Sequence, residues 1–470
     1  MDTKDIHLDI QSKSFTATRN ACKVCTPLGA SIVFKGIEGC LPMLHGSQGC
    51  ATYIRRYLIS HFKEPMDIAS SNFSESSTVF GGNKNFIIGI NNIISQYNPK
   101  VIAIASTCLS ETIGEDVPAM IREYIAVNKD KTLPEFIYAS TPSYQGTHME
   151  GFHEAVYASV KFLAQGGEKN EKINIFPGFV STEDLRHVKE IFEDFGLSYN
   201  MLPDYSDSLD NPAWEEVVKI PAGGTSIEDI KSTGTAKASI ELGRVMNKGG
   251  LNGRIKNNNK VITAGKYLKD TYDIDNYSLG LPIGIKETDE FFAVLSQLSG
   301  KPIPKKYQMQ RGRLVDAYID AHKHIFGQRA IVFGDEDMVI GLTAFLYEIG
   351  VVPVLVATGG ESGVLKQTLE NDLNINTSGM IIRQGMDFEE IAALGKELNP
   401  DFLIGNSKGY YIARELKKPL VRVGFPIHDR YGCQRIQHLC YEGTQQLFDT
   451  ITNAIVQYKQ DNSEVGYKYI

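Results

Sequence analysis

The chain is predicted to be an α/β protein of three doubly wound, parallel-sheet domains, and three observations carry that prediction. Short apolar runs recur at Val101–Ala105, Ile173–Phe176 (broken only by Asn174), Ala330–Phe333, Val352–Val356 and Phe402–Ile404. Such runs suit strands buried on both faces of a parallel sheet. Each passes through a turn into a helical pattern, and 470 residues with 42% hydrophobic content are enough for two to four domains with real cores.

Taken in order, residues 1–20 read as an N-terminal arm and 21–165 as a first α/β domain around the strand Val101–Ala105. The polar, glycine-bearing stretch Gln165-Gly-Gly-Glu-Lys-Asn170 marks the boundary to a second domain, 166–326. There the strand Ile173–Phe176 leads to Ser181 or Thr182 as the cap of a helix over Glu183–Phe195, which Gly196 ends. Leu314, Val315, Ala317, Tyr318, Ala321 and Ile325 recur at helical spacing and predict a packing helix over Gln310–Phe326. His322 and His324 lie on it two positions apart, about 200° round the helix, which is wrong for sharing one ion. The third domain, 327–470, opens with Ala330–Phe333; Asp335, Glu336 and Asp337 then start a helix that runs through Ile349 and stops at Gly350.

Net charge is −8 with acidic and basic residues interleaved, so neither a nucleic-acid groove nor a basic membrane-binding face is expected. No run approaches the ~20 apolar residues needed to cross a bilayer, and no signal peptide is seen, so a cytoplasmic protein is expected. Seven cysteines at irregular spacing suit reduced thiols or metal ligands better than a disulfide framework. Neither a dinucleotide fingerprint nor a phosphate loop follows Gly81-Gly82 or Gly359-Gly360. Binding crevices of such sheets lie at strand carboxyl ends, where Cys108 falls.

Four short motifs carry the chemistry: Lys23-Val-Cys25-Thr-Pro-Leu-Gly-Ala30, His45-Gly-Ser-Gln-Gly-Cys50, Ser106-Thr-Cys108-Leu-Ser-Glu111 and Thr141-Pro-Ser143. Thiolates are soft ligands for zinc, copper(I) or iron-sulfur clusters, and iron clusters are usually anchored by four of them. Cys25, Cys50 and Cys108 supply three, so a partner is expected to complete the site. Cys22 and Cys25 form a Cys-x-x-Cys pair, but the second pair that a zinc site needs is missing. Cys40, Cys433 and Cys440 read as buried structural thiols. His45, Ser47 and Gln48 adjoin Cys50 and are candidates for hydrogen bonds to cluster sulfur or to the turn. Arg55-Arg56 reads as a solvated pair, Arg422 with Asp429 and Arg430 as a local salt bridge, Trp214 as a core or interface anchor, and Asp67 and Glu75 as surface turns rather than an acid pair.

With Ser60-His-Phe-Lys-Glu-Pro65, Val79-Phe-Gly-Gly82, Glu111-Thr-Ile-Gly-Glu-Asp116, Lys301-Pro-Ile-Pro304, Arg311-Gly-Arg-Leu-Val-Asp-Ala317, Ser407-Lys-Gly409 and Arg422-Val-Gly-Phe-Pro-Ile-His-Asp-Arg430, these motifs resemble, over nearly the whole chain, the beta-type subunits of nitrogenase component 1 and the similar scaffold that builds the nitrogenase cofactor. The resemblance implies that Cys25, Cys50 and Cys108 hold half of an 8Fe-7S P-cluster, the alpha-type subunit holding the other half, with Ser143 an extra ligand when the cluster is oxidised. It implies an alpha2-beta2 heterotetramer, an ATP-hydrolysing iron protein as electron donor and a substrate-reducing cofactor in the alpha-type chain, so no catalytic residue is expected here.

Survival of all three cysteines favours the electron-relaying oxidoreductase. The short stretch before Cys25, unlike the long extension of molybdenum-type beta subunits, leaves the vanadium or iron-only types, a nitrogenase-like reductase acting on another substrate, or a scaffold form that kept its cysteines. The alternatives are the scaffold subunit, holding a 4Fe-4S cluster and favoured by Cys40–His45 and Tyr441-Glu-Gly-Thr-Gln-Gln446, and a cluster-free structural homologue.

Overall fold

A computed structural model describes residues 21–247 and 263–465. The expected N-terminal arm, 1–20, lies outside the described residues. The first sheet contains β1 (Cys40–His45), β2 (Ala69–Ser70), β3 (Val101–Ser106) and β4 (Glu135–Ala139) in the order β2-β1-β3-β4. The second contains β5 (Ile173–Phe176), β6 (Tyr199–Met201), β7 (Ala238–Leu242) and β8 (Asp275–Leu279) in the order β6-β5-β7-β8. The third contains β9 (Arg329–Gly334), β10 (Val352–Thr358), β11 (Ile381–Arg383), β12 (Phe402–Gly405) and β13 (Leu420–Arg422) in the order β11-β10-β9-β12-β13. Every pairing between these strands is parallel.

Parallel strands need both faces covered, and β3 shows how the sequence meets that need. Val101, Ala103 and Ala105 join one apolar core while Ile102 and Ile104 join another. The first of these cores extends through all three sheets, taking in Ile175 of β5 and Val332 of β9.

The helices follow local chemistry. Ser181 caps the helix Thr182–Phe195 in a capping box with Asp184, and Gly196 ends it at φ 67°. The long helix runs Lys305–Ile325, starting five residues before the expected Gln310. Its first turns are polar except for the buried Tyr307 and the exposed Met309, which is why apolar spacing alone places the start too late. β1 was not expected as a strand, because Cys40, Pro42 and His45 interrupt an aliphatic run. No described helix is long and apolar enough to cross a membrane.

One helix crossing bears directly on the site. The helices Thr26–Lys35 and His148–Leu163 cross at Gly29 and Gly151. A Cβ on Gly29 would lie 1.7 Å from the His148 carbonyl oxygen, and one on Gly151 would lie 1.9 Å from that of Thr26. Only glycine allows backbones this close, and the contact fixes where Cys25 emerges.

Candidate metal centre

Sheet register assembles the site. β1 and β3 pair from Cys40↔Val101 to His45↔Ser106, and β4 ends level with them through Ala105↔Ala139. The turns after these three strands therefore leave one edge side by side. The first carries Cys50, the second Cys108 and the third Ser143. Cys25 comes to the same place from the other direction, as the residue capping the helix Thr26–Lys35.

The turns are bonded to one another. The Thr26 amide donates to Ser143 Oγ at 3.2 Å, and the Ser143 amide donates to Cys108 Sγ at 3.2 Å. Ser47 Oγ lies 3.7 Å from Cys50 Sγ. Both the Thr107 amide and its hydroxyl donate to the His45 carbonyl, at 3.2 and 3.1 Å, which locks the Cys50 turn to the Cys108 turn. Gly46 allows this approach, since a Cβ there would sit 2.0 Å from Thr107 Oγ1.

The three thiols also sense one another. Burial pushes the Cys25 thiol up to about 11, and Cys50 and Cys108 add to that rise through their negative charge. Cys25 and Cys50 are half-buried and Cys108 is exposed, so the set opens outward. Cys25 heads a helix of 10 residues and Cys50 lies in the first turn of one of 15, so both sulfurs sit at the positive ends of helix dipoles. Thiolates on helix starts with one hydroxyl beside them suit an iron-sulfur group, and three thiolates are one short of the usual four. No group of three or more His, Cys, Asp or Glu among the described residues is arranged around a single ion.

The neighbouring candidates divide. Ser47 touches Cys50. Gln48 is exposed at the helix start, and its backbone carbonyl accepts from Thr52. His45 is fully buried; its ring packs edge-on against Phe73 and Phe86, and its Nε2 faces Glu115 Oε2 at 3.1 Å. The ring thus belongs to the core, and what His45 gives the site is its carbonyl. Burial holds that imidazole below its usual value, against the pull of Glu115.

Two carboxylates support the site without a role having been read for them. Glu111 accepts from Ser106, from Tyr138 at 3.0 Å and from Ser140 at 2.6 Å, tying the Cys108 and Ser143 turns together from beneath. Glu115 accepts from the Gly82 amide at 2.9 Å as well as facing His45. The signal available was a serine-rich turn beside an acidic residue on the following helix.

The remaining candidates fall elsewhere. Cys22 packs with Ile331 and Phe333 of the third sheet, which splits the Cys-x-x-Cys pair between two environments. Arg55 donates to the Met66 carbonyl at 2.6 Å and lies 3.6 Å from Asp67. Arg422 forms a forked pair with Asp429, its closest contact 2.6 Å, as a local bridge. Glu75 opens the short helix Glu75–Phe80 and His322 is exposed.

With this geometry in hand, the relatives are informative. A family model described as nitrogenase component 1 type oxidoreductase matches residues 25–456. The nitrogenase molybdenum-iron protein beta chain of Clostridium pasteurianum is 39% identical over 443 residues, covering 93% of each chain. The nitrogenase vanadium-iron protein beta chain of Trichormus variabilis is 34% identical, covering 97% of this chain and 98% of that one. A solved structure titled "Nitrogenase Cp1 at pH 6.5" superposes with a TM-score of 0.90 at 36% identity, covering 98% of both chains.

Proposed function

The chain belongs to the nitrogenase component 1 type oxidoreductases as a beta-type subunit, and on that premise we propose that it holds half of an interface P-cluster through Cys25, Cys50 and Cys108. The observation that carries this reading is the outward-facing, incomplete thiol set at the carboxyl edge of the first sheet. An alpha-type subunit completes it, in an alpha2-beta2 assembly. Exposed Tyr53 on the Cys50 helix and Tyr144 next to Ser143 supply apolar surface for that partner beside the thiols.

When bound, the 8Fe-7S cluster supplies one-electron storage and transfer between an ATP-hydrolysing iron protein and a cofactor in the alpha-type chain. The residues of this chain hold and tune it. Cys25 and Cys50 place thiolate on positive helix ends, which eases the accumulation of negative charge. The hydroxyl of Ser143, a hard oxygen within reach of the Cys108 turn, is a ligand suited to more oxidised iron. Ser47 Oγ lies 3.7 Å from Cys50 sulfur, where a hydrogen bond donated to a cluster-bound thiolate would raise the potential by withdrawing charge.

Two measurements test this. Cys50→Ala is expected to strip iron from the purified assembly and weaken its alpha-beta contact, because ligand energy is coupled to assembly; unchanged iron and assembly would favour the cluster-free homologue. The anaerobic assembly, given its cognate iron protein and ATP, is expected to reduce acetylene, dinitrogen or protons. An iron-bearing assembly with no turnover would instead support the scaffold with a 4Fe-4S cluster.

A further inference from the structure

The helix that begins at Cys25 ends at Lys35, and its far end meets the largest cavity among those described, about 480 Å³. Ten residues at ~1.5 Å each put this place roughly 15 Å from the thiols along the helix. The walls include Lys35, Asp67, Tyr97, Trp214, Val218 and Lys219.

Lys35 makes this cavity unusual. It is 4% exposed, and among the described residues its ammonium has no hydrogen-bond acceptor and no carboxylate within ion-pair distance. Asp67 is the carboxylate facing it from further off, and the Cys40 thiol beside it keeps its proton. Asp67 is shared with Arg55 at 3.6 Å and with the Tyr97 hydroxyl. Burial accordingly pulls the Lys35 amine below its usual value. A buried lysine without a close counter-charge is costly, and the cost falls when an anion enters.

The cavity is built into the fold. Ser208 Oγ donates to the Lys35 carbonyl at 2.6 Å, and the Thr225 amide donates to the Gly36 carbonyl at 2.9 Å, so the segment that carries Trp214 is fastened on both sides of the helix end. Lys219 fastens the same segment to the helix Asn83–Tyr97 through the Gln96 carbonyl at 2.5 Å.

We propose that this cavity binds a small monoanionic acid with a flat apolar body, its carboxylate on the Lys35 ammonium and its ring between Tyr97 and Trp214. The volume lies within the ~300–1,000 Å³ typical of small-molecule sites, and apolar and aromatic walls with a few placed polar groups are their usual lining. Asp67 in the wall repels a second negative charge, which selects monoacids over diacids. The site shares no side chain with the thiol set, so it stands whether or not the cluster reading does.

The test is equilibrium dialysis of 2-naphthoate against the purified assembly. Saturable binding with one site per copy of this chain is expected. Lys35→Met should weaken it at least tenfold, and the neutral 2-naphthamide should bind the unmutated protein at least tenfold more weakly than the acid. Trp214→Ala, at a partly exposed side chain, should weaken it several-fold with the melting temperature unchanged. Absence of saturable binding, equal binding of acid and amide, or binding unaffected by Trp214→Ala would each overturn the proposal, even if Lys35→Met fails to fold.

Discussion

Cys25, Cys50 and Cys108 share a side chain with Cys22, Cys40, Cys433 and Cys440 and nothing else. The second group is at most 4% exposed. Burial pushes the Cys22 and Cys40 thiols up to about 12, and Cys433 donates its S–H to the His61 carbonyl at 3.2 Å. These are small apolar groups with a weak donor. The first group sits where a strand or loop turns into a helix, with backbone dipoles behind and open surface ahead. The difference teaches that exposure, more than place in the element, sets the chemistry here, since Cys440 also opens a helix, Cys440–Asp461, yet is 1% exposed and serves as packing.

The largest expected effect breaks the frame that makes the rim a rim. Gly29→Ala sets a methyl group 1.7 Å from a backbone oxygen that no rotamer change can relieve. The helices must part, at a cost of about 3 kcal/mol or more, the upper end of overpacking. Chemical denaturation should show the loss, and Cys25 should leave its partners, so iron should fall together with stability. Retained stability with Gly29→Ala would mean the crossing is looser than the geometry states.

The next effect sharpens the comparison directly. Cys40→Ala removes a fully packed sulfur from β1 and should cost about 1–2 kcal/mol while leaving iron content intact. Cys50→Ala should do the reverse, removing iron with under about 0.5 kcal/mol change in the metal-free protein, because its side chain is half-exposed. Paired iron analysis and denaturant midpoints check both. Equal iron loss in the two variants would erase the distinction between rim and core.

The same contrast shows how far the sequence alone could be read. The apolar runs at β3, β5, β9, β10 and β12 were legible because central parallel strands are buried on both faces. Edge strands such as β2, β6, β11 and β13, two or three residues long, leave no such run. The four motifs were legible because turn residues and thiols are distinctive. The fate of His45 was not, because adjacency in sequence hides that a strand alternates its faces, sending the ring between Phe73 and Phe86 while the carbonyl meets Thr107. Trp214 read as an anchor; it lines a cavity with Lys35 and Tyr97, more than 100 residues away in sequence.

A pH series on the cluster-free protein grades the thiols further. Thiolate is the reactive form, so alkylation of Cys25, with its thiol near 11, should quicken about tenfold per pH unit from pH 7 towards 10. Cys22 and Cys40 should stay unreactive while the fold holds. The folded state keeps their protons to about 12 against about 9 when unfolded, so the stability they contribute is present below pH 9 and is lost as pH rises through 12. Mass spectrometry of the alkylated cysteines and melting curves between pH 8 and 10.5 check the order. Early labelling of Cys40 at neutral pH would contradict its burial.

The smallest effect isolates Ser143 from the cysteines it accompanies. Its hydroxyl accepts from the Thr26 amide at 3.2 Å, and its own amide donates to Cys108 Sγ. Ser143→Ala removes only the first of these, leaving the Thr26 amide without that acceptor, at about 0.5–1.5 kcal/mol. The amide bond to sulfur persists, so reduced protein should keep its iron and its turnover nearly unchanged. If the hydroxyl also ligates oxidised iron, the oxidised state alone loses a ligand and becomes harder to reach. A redox titration followed by electron paramagnetic resonance should then show the most oxidised couple shifted to higher potential, with the first couple in place. Equal shifts in both couples, or none, would reduce Ser143 to the turn-bracing role that its bond with Thr26 already explains.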